Sequence, residues 1–279
     1  MRAEPSHRIP GVAAAGVCLA LLFPGVAAGQ ESSSSAAGPD DLESRARRIH
    51  ASVITIDTHA DIPSNFATAE SDPGETEGRQ VTLPKMRAGG LDAVFFIVYV
   101  GQTERTPEND AEAKAEAMRK FEGIHRLTDD MYPSEIGFAW TADDVERLHA
   151  EGKLVATIGI ENGYSIGTDI SLLEKYHSLG ARYFGLTHIG HNDLADSSMP
   201  RENLGDGEEE HGGVSELGAK AIAEANRLGM MVDVSHSSKK TMLDAARLSR
   251  APIIASHSAV RNLADSPRNL TDEELLALR

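Results

Sequence analysis

Cysteine is almost missing from these 279 residues: the single one, Cys18, lies inside an apolar N-terminal run. Everything after that run is therefore without disulfide bracing, thiolate metal sites or thiol nucleophiles. Basic residues are also short, 27 against 43 acidic ones for a formal charge of -16, which argues against a nucleic-acid surface. No apolar run is followed by the glycine-rich turn that cradles a dinucleotide pyrophosphate. The apolar run at 11–28 follows Arg2 and Arg8 and precedes small residues. It reads as a secretory signal, with Val26 and Ala28 at the small-residue positions of a cleavage site after Ala28. An uncleaved anchor is the rival. The expected organisation is a signal peptide over 1–28, a serine-rich low-complexity linker over 29–40 and a domain over 41–279. Such a protein is exported, to the periplasm or the extracellular space, and depends on its core for stability.

What is present is an alternation. Strand-like apolar runs occupy 53–58, 91–100, 154–160, 181–187, 230–235 and 252–256. Between them lie helical segments, including about 108–129, 169–179, 215–228 and 238–249. Thr141 with Asp144, and Thr271 with Glu274, have capping-box spacing, and Gly229 is a helix stop. Strand–helix alternation predicts a parallel sheet. The run at 91–100 is apolar on both faces, as a buried parallel strand is. Six units without a phosphate turn favour a (β/α)8 TIM-like barrel over a dinucleotide fold. No further apolar run offers a seventh or eighth strand, so the barrel is expected to be incomplete, with six of eight βα units. Trp140 is expected in the core.

The strand ends carry the chemistry. His59 and Asp61 close the first run two residues apart, hence on one face of a strand. The third run ends at Glu161, the fourth at His188, the fifth at His236 and the sixth at His257. In a parallel barrel all these ends open on one face, where barrel enzymes hold their active sites. Imidazoles and carboxylates without sulfur suit zinc or another hydrolytic divalent ion. Two ions about 3.5–4 Å apart, bridged by a carboxylate, are a natural arrangement for such a set. His50, His125, His149 and His177 fall in helical segments and read as packing or surface residues. His211 reads as solvated, and His191 and Asp193 are candidates for a pocket rim.

The stretches IDTHADIP (56–63), GIENGYSIG (159–167), LGARYFGLTHIGHNDLADSS (179–198), LGMMVDVSHSS (228–238) and APIIASHSAVRNLADSPRN (251–269) together resemble the membrane (renal) dipeptidase family. These are the M19 zinc dipeptidases of the amidohydrolase superfamily, and the resemblance is in particular to bacterial members. It implies a barrel of the metal-dependent hydrolase type and hydrolysis of dipeptides by a hydroxide bridging two zinc ions. By resemblance His59 and Asp61 bind one zinc, His236 and His257 the other, and Glu161 bridges both. His188 contacts the tetrahedral intermediate, Arg268 holds the substrate and Tyr99 lines the pocket. Family members continue through two more strands, the seventh with a proton-transferring aspartate that no residue here matches. Rival readings are another amidohydrolase acting on a different amide or ester, and a non-catalytic metal-binding fragment. Homodimerisation and membrane association stay open.

Overall fold

The computed structural model describes residues 41–75 and 78–279, so the signal peptide and linker expected over 1–28 and 29–40 lie outside the described residues. Among the described residues seven strands form: β1 (Ile56–Asp61), β2 (Ala93–Tyr99), β3 (Ile136–Phe138), β4 (Leu154–Glu161), β5 (Ala181–Gly185), β6 (Met231–Asp233) and β7 (Ile253–Ile254). Every pairing is parallel, in the order β1-β2-β4-β5-β6-β7, with β3 added beside β4. The helices are α1 (Leu42–His50), α2 (Leu83–Gly89), α3 (Pro107–Arg126), α4 (Ala142–Ala150), α5 (Leu172–Ser178), α6 (Glu216–Leu228), α7 (Lys239–Leu248) and α8 (Asp272–Ala277). Setting β3 aside, this is the order of six consecutive units of a TIM-like barrel, as the alternation predicts. Among the described residues no helix is long and apolar enough to cross a membrane.

The sheet is curled. Tyr183 on β5 donates its hydroxyl to the Thr58 carbonyl on β1 at 3.0 Å, and Thr58 Oγ1 donates to the Ser256 carbonyl just past β7 at 2.6 Å. A flat sheet would hold its first and sixth strands roughly 24 Å apart, at about 4.8 Å per step. Only a barrel-like arc brings β1, β5 and β7 within hydrogen-bond reach. The two faces of the arc alternate along each strand. On β2, Phe95 and Ile97 point inward with Tyr183, Met231 and Ile254. Val94, Phe96 and Val98 point outward into the larger core beneath the helices, with Ala156, Ile158 and Ile160 of β4. That is why the run at 91–100 has no polar face.

Local signals explain most helix ends. Thr141 and Asp144 complete a capping box on α4, and Thr271 and Glu274 complete one on α8. Gly229 ends α6 at φ 78°, a left-handed conformation that a side chain would disfavour. Four details differ from expectation. The first strand begins at Ile56 rather than at 53, because its pairing with β2 starts at Ile56 and leaves Val53 half exposed. His59 and Asp61 therefore lie on the strand itself, where an irregularity between Asp57 and Ala60 re-aims the side chains. The short elements α2 and β3 were not anticipated, since seven and three residues carry too little periodicity. Trp140 is 42% exposed, against the Arg182 guanidinium, and is not a core residue.

Gly159 is the tightest point of the barrel interior: a Cβ there would sit 2.0 Å from the Tyr183 ring. Gly159→Ala is expected to push that ring aside, with it the hydroxyl that meets β1, and to cost about 1–3 kcal/mol as core overpacking does. Urea unfolding followed by circular dichroism measures this. An unchanged midpoint would show that the ring has room to move.

Candidate metal centre

Barrel geometry gathers residues that are up to 198 positions apart in the chain. Glu161 is the last residue of β4, and His188, His236 and His257 each stand three residues past the ends of β5, β6 and β7. His59 reaches the same place from β1. Glu161 is only 3% exposed. Its Oε1 lies 2.8 Å from His236 Nε2, 3.2 Å from His257 Nε2 and 3.8 Å from His188 Nε2, and its Oε2 lies 3.3 Å from His59 Nε2. Asp61 is the outlier, with two-thirds of its side chain exposed and Oδ1 at 3.6 Å from His59 Nε2. The imidazoles are packed on one another: ring centroids are 3.6 Å apart for His59 and His257 and 4.1 Å for His188 and His236.

Charge and tautomer follow from this crowding. Burial opposes ionisation of Glu161, but the imidazoles of His236, His257 and His59 crowded around it outweigh that and hold the carboxyl far below the usual range. Burial likewise works against a charged His59, yet Asp61 and Glu161 overcome it and push that imidazole up to about 9. His188 goes the other way, to about 4, through burial and the neighbouring His236 and Arg268. The outer ring nitrogens find hydroxyls: His59 Nδ1 meets Tyr183 at 3.1 Å, His188 Nδ1 meets Tyr99 at 3.3 Å, and His257 Nδ1 meets Ser256 at 2.8 Å. His236 is the exception. Its Nδ1 is buried with no partner among the described residues, and its backbone sits at φ 67°, a left-handed conformation uncommon for residues other than glycine. Such strain costs of order 1–3 kcal/mol and persists where surroundings over-determine it. Here Ser198 N–H donates to the His236 carbonyl at 2.7 Å.

The donors fit a divalent cation. Two overlapping groups, His59 with Glu161 and His257, and Glu161 with His188 and His236, each have ligand atoms within 4.8 Å of one another. Glu161 belongs to both. All four imidazoles turn Nε2 toward it, and nitrogen and carboxylate oxygen without sulfur are zinc-type ligands. The distances group His257 with His59 as readily as with His236, whose Nε2 is 3.0 Å away.

The remaining residues singled out from the sequence divide. Arg268 is anchored at the rim, donating to Ser258 Oγ at 3.0 Å and to the His257 carbonyl at 3.1 Å. Tyr99, at the end of β2, stands over His188. His191 is not a rim residue: it is buried, with Nδ1 accepting from Ser197 N–H and Nε2 donating to the Gly207 carbonyl. Asp193 pairs with Arg105, which also grips Glu210. His211 is tied to the Asn192 carbonyl at 2.8 Å rather than solvated. Sequence reading missed the supporting hydroxyls of Tyr183 and Ser256, and the buried carboxylate of Asp233 beside Ser256. An acidic residue inside an apolar strand run was the available signal for Asp233.

Comparison with known proteins gives a consistent picture. The sequence model of the membrane dipeptidase family (peptidase family M19) matches residues 43–279. The dipeptidase aclJ of Aspergillus oryzae is 36% identical over 204 residues, 72% of this chain and 47% of its own length. The dipeptidase verJ of Clonostachys rogersoniana is 31% identical over 252 residues, 86% of this chain and 63% of its own. This chain thus spans about half to two-thirds of the length of these curated relatives. Among solved structures, the probable dipeptidase PvdM from Pseudomonas aeruginosa superposes with a TM-score of 0.80 at 33% identity, over 84% of this chain and 59% of that one. A metallo peptidase from Rhodobacter sphaeroides, liganded with a phosphinate mimic of the dipeptide L-Ala-D-Ala, gives 0.62 at 25% identity, over 81% and 71%. With its strand-end histidines gathered on one glutamate and its sequence matched from residue 43 onward, the chain belongs to the membrane dipeptidase family, peptidase family M19.

Proposed function

We propose that this domain carries a two-zinc dipeptidase centre and is part of an exported protein. The observation that carries the reading is Glu161, one buried carboxylate reached by imidazoles from four different strand ends. His59 and Asp61 serve one ion, His236 and His257 the other, and Glu161 both. Zinc, when bound, supplies Lewis-acid polarisation of a carbonyl and a nucleophile competent at neutral pH. The basic start and apolar run at 11–28 support export.

The chain's own residues account for orientation. His188, held to about 4, is neutral at physiological pH. A Tyr99 hydroxyl donating to Nδ1 keeps the His188 proton on Nε2, where it faces the centre and can stabilise an oxyanion. Tyr99 thereby orients His188 as well as standing beside the pocket. Arg268 presents a guanidinium at the rim beside His257, suited to the free carboxylate of a dipeptide. Fixing that carboxylate near the scissile bond restricts substrates to short peptides. A cavity of about 470 Å³ adjoins His59 and Asp61, walled by Ile62, Phe66, Val81 and Phe96 with Arg79 at its edge. It offers room for an apolar side chain.

Three outcomes test the reading. Glu161→Gln is expected to reduce bound zinc from about two ions toward none, because an amide withdraws charge from both positions at once. Elemental analysis by mass spectrometry measures this, and two retained ions would remove Glu161 from the bridge. Second, zinc needs a neutral His59, whereas that ring is protonated below about 9 before binding. Binding at pH 7 should release a proton, and apparent affinity should rise with pH until about 9. Titration calorimetry in buffers of different ionisation enthalpy reads the proton count; none released would exclude His59 as a charged ligand. Third, any dipeptide hydrolysis that the zinc-loaded chain shows should fall roughly 10²–10³-fold in kcat in His188→Ala, with zinc content unchanged. Cleavage of other amides or esters but of no dipeptide would favour the broader amidohydrolase reading.

A further inference from the structure

One buried group beneath the centre has no part in the roles above. Asp233, the last residue of β6, is 1% exposed. Three hydrogen bonds, none of them from a cation, hold its carboxylate. Oδ1 accepts from the backbone N–H groups of Ser235 and Ser256, both at 3.0 Å, and Oδ2 accepts from the Ser256 hydroxyl at 2.6 Å. The backbone bonds alone would make Asp233 a clasp between β6 and β7. The third bond does more, because Ser256 also meets His257 Nδ1 at 2.8 Å.

We propose that Asp233, acting through the Ser256 hydroxyl, is a positioning residue that fixes the tautomer of His257 and leaves its free lone pair on Nε2. The proposal rests on His257 being a metal ligand. A serine hydroxyl has one proton. A carboxylate can only accept, and at 2.6 Å it takes that proton as a charge-assisted bond. The Ser256 oxygen then has only lone pairs to offer His257, so Nδ1 must be the protonated nitrogen. Ser235 Oγ, 3.4 Å from Ser256 Oγ, can donate into the same oxygen and reinforces this polarity. Nε2 is left as the basic atom, turned toward Glu161 at 3.2 Å and His236 at 3.0 Å. His236 closes the account: its Nε2–H donates to Glu161 at 2.8 Å and toward His257 Nε2, while its own Nδ1 has no partner among the described residues. His257 is thus preset for a cation and His236 is not. A carboxylate behind a ligand imidazole also raises its basicity, and loss of such a partner commonly lowers metal affinity about 10–100-fold.

Two variants separate this relay from a structural clasp. Asp233→Asn keeps an oxygen for both backbone N–H groups but turns an amide N–H toward Ser256, whose hydroxyl must then donate to His257 Nδ1. Ser256→Ala removes the relay and leaves the backbone bonds of Asp233 intact, while Ser256→Thr restores a hydroxyl. Nitrogen-15 spectra of histidine-labelled, metal-free protein read the tautomer, and competition with a chromophoric chelator reads zinc affinity. Wild type should show His257 protonated at Nδ1, and Asp233→Asn should move that proton to Nε2. Zinc affinity should fall about 10–100-fold in Asp233→Asn and Ser256→Ala, and return to near wild type in Ser256→Thr. An unchanged His257 tautomer in a folded Asp233→Asn variant would overturn the proposal, as would a Ser256→Thr variant as weak as Ser256→Ala. If the tautomer switches but zinc binding does not respond to His257→Ala, the relay stands and the assignment of His257 as a ligand fails.

Discussion

A carboxylate at 3% exposure cannot stay ionised without compensation, and Glu161 is the residue around which this molecule solves that problem. Burial works against its charge, and the imidazoles of His236, His257 and His59 around it reverse the balance. Each of those imidazoles comes from a different strand, so the charge can be satisfied only when β1, β4, β6 and β7 lie in one arc. Removing a single partner from a buried charge is far more costly than the pair is stabilising. The fold and the site are therefore mutually dependent. The same crowding of basic nitrogens on one anion is what makes the place suited to divalent cations.

Holding four imidazoles against one carboxylate demands a second layer. Gly159 leaves space for the Tyr183 ring, and Tyr183 in turn meets both the Thr58 carbonyl and His59 Nδ1. Behind the long loop after β5, Asp196 accepts backbone N–H groups from Glu210, His211 and Gly213. That carboxylate gives a polar segment of irregular backbone the hydrogen bonds it would otherwise lack under cover. Positive φ at Asn162 and His236, in and beside the centre, marks where the chain accepts local strain around Glu161. Asn162 is fully buried and bonds to the Val100 carbonyl and to Gln102, which fixes the turn immediately after Glu161.

Much of this was legible in the sequence. Strand–helix alternation and runs apolar on both faces specify a parallel sheet, and caps such as Thr141, Thr271 and Gly229 set helix ends by local hydrogen bonding and backbone sterics. His59, Glu161, His188, His236 and His257 stood out because each ends an apolar run, and parallel topology sends every such end to one face. Short elements did not stand out: β3 forms because β4 extends beyond the reach of β5 and leaves its early residues to pair, which is a property of the neighbours.

Sequence alone determined the donor chemistry, imidazole and carboxylate without thiolate, and the topological order in which the donors arrive. Tertiary structure decided the rest, because the deciding quantities are distances between residues far apart in the chain. It placed His191 in a buried scaffold rather than at the rim, set Trp140 at the surface, and left Asp61 largely exposed beside the more deeply held His59. It also chose the hydroxyls behind the rings. Nothing local distinguishes Tyr183 or Ser256 from any other tyrosine or serine; closing the arc to within 2.6 Å between Thr58 and Ser256 is what brings their strands together.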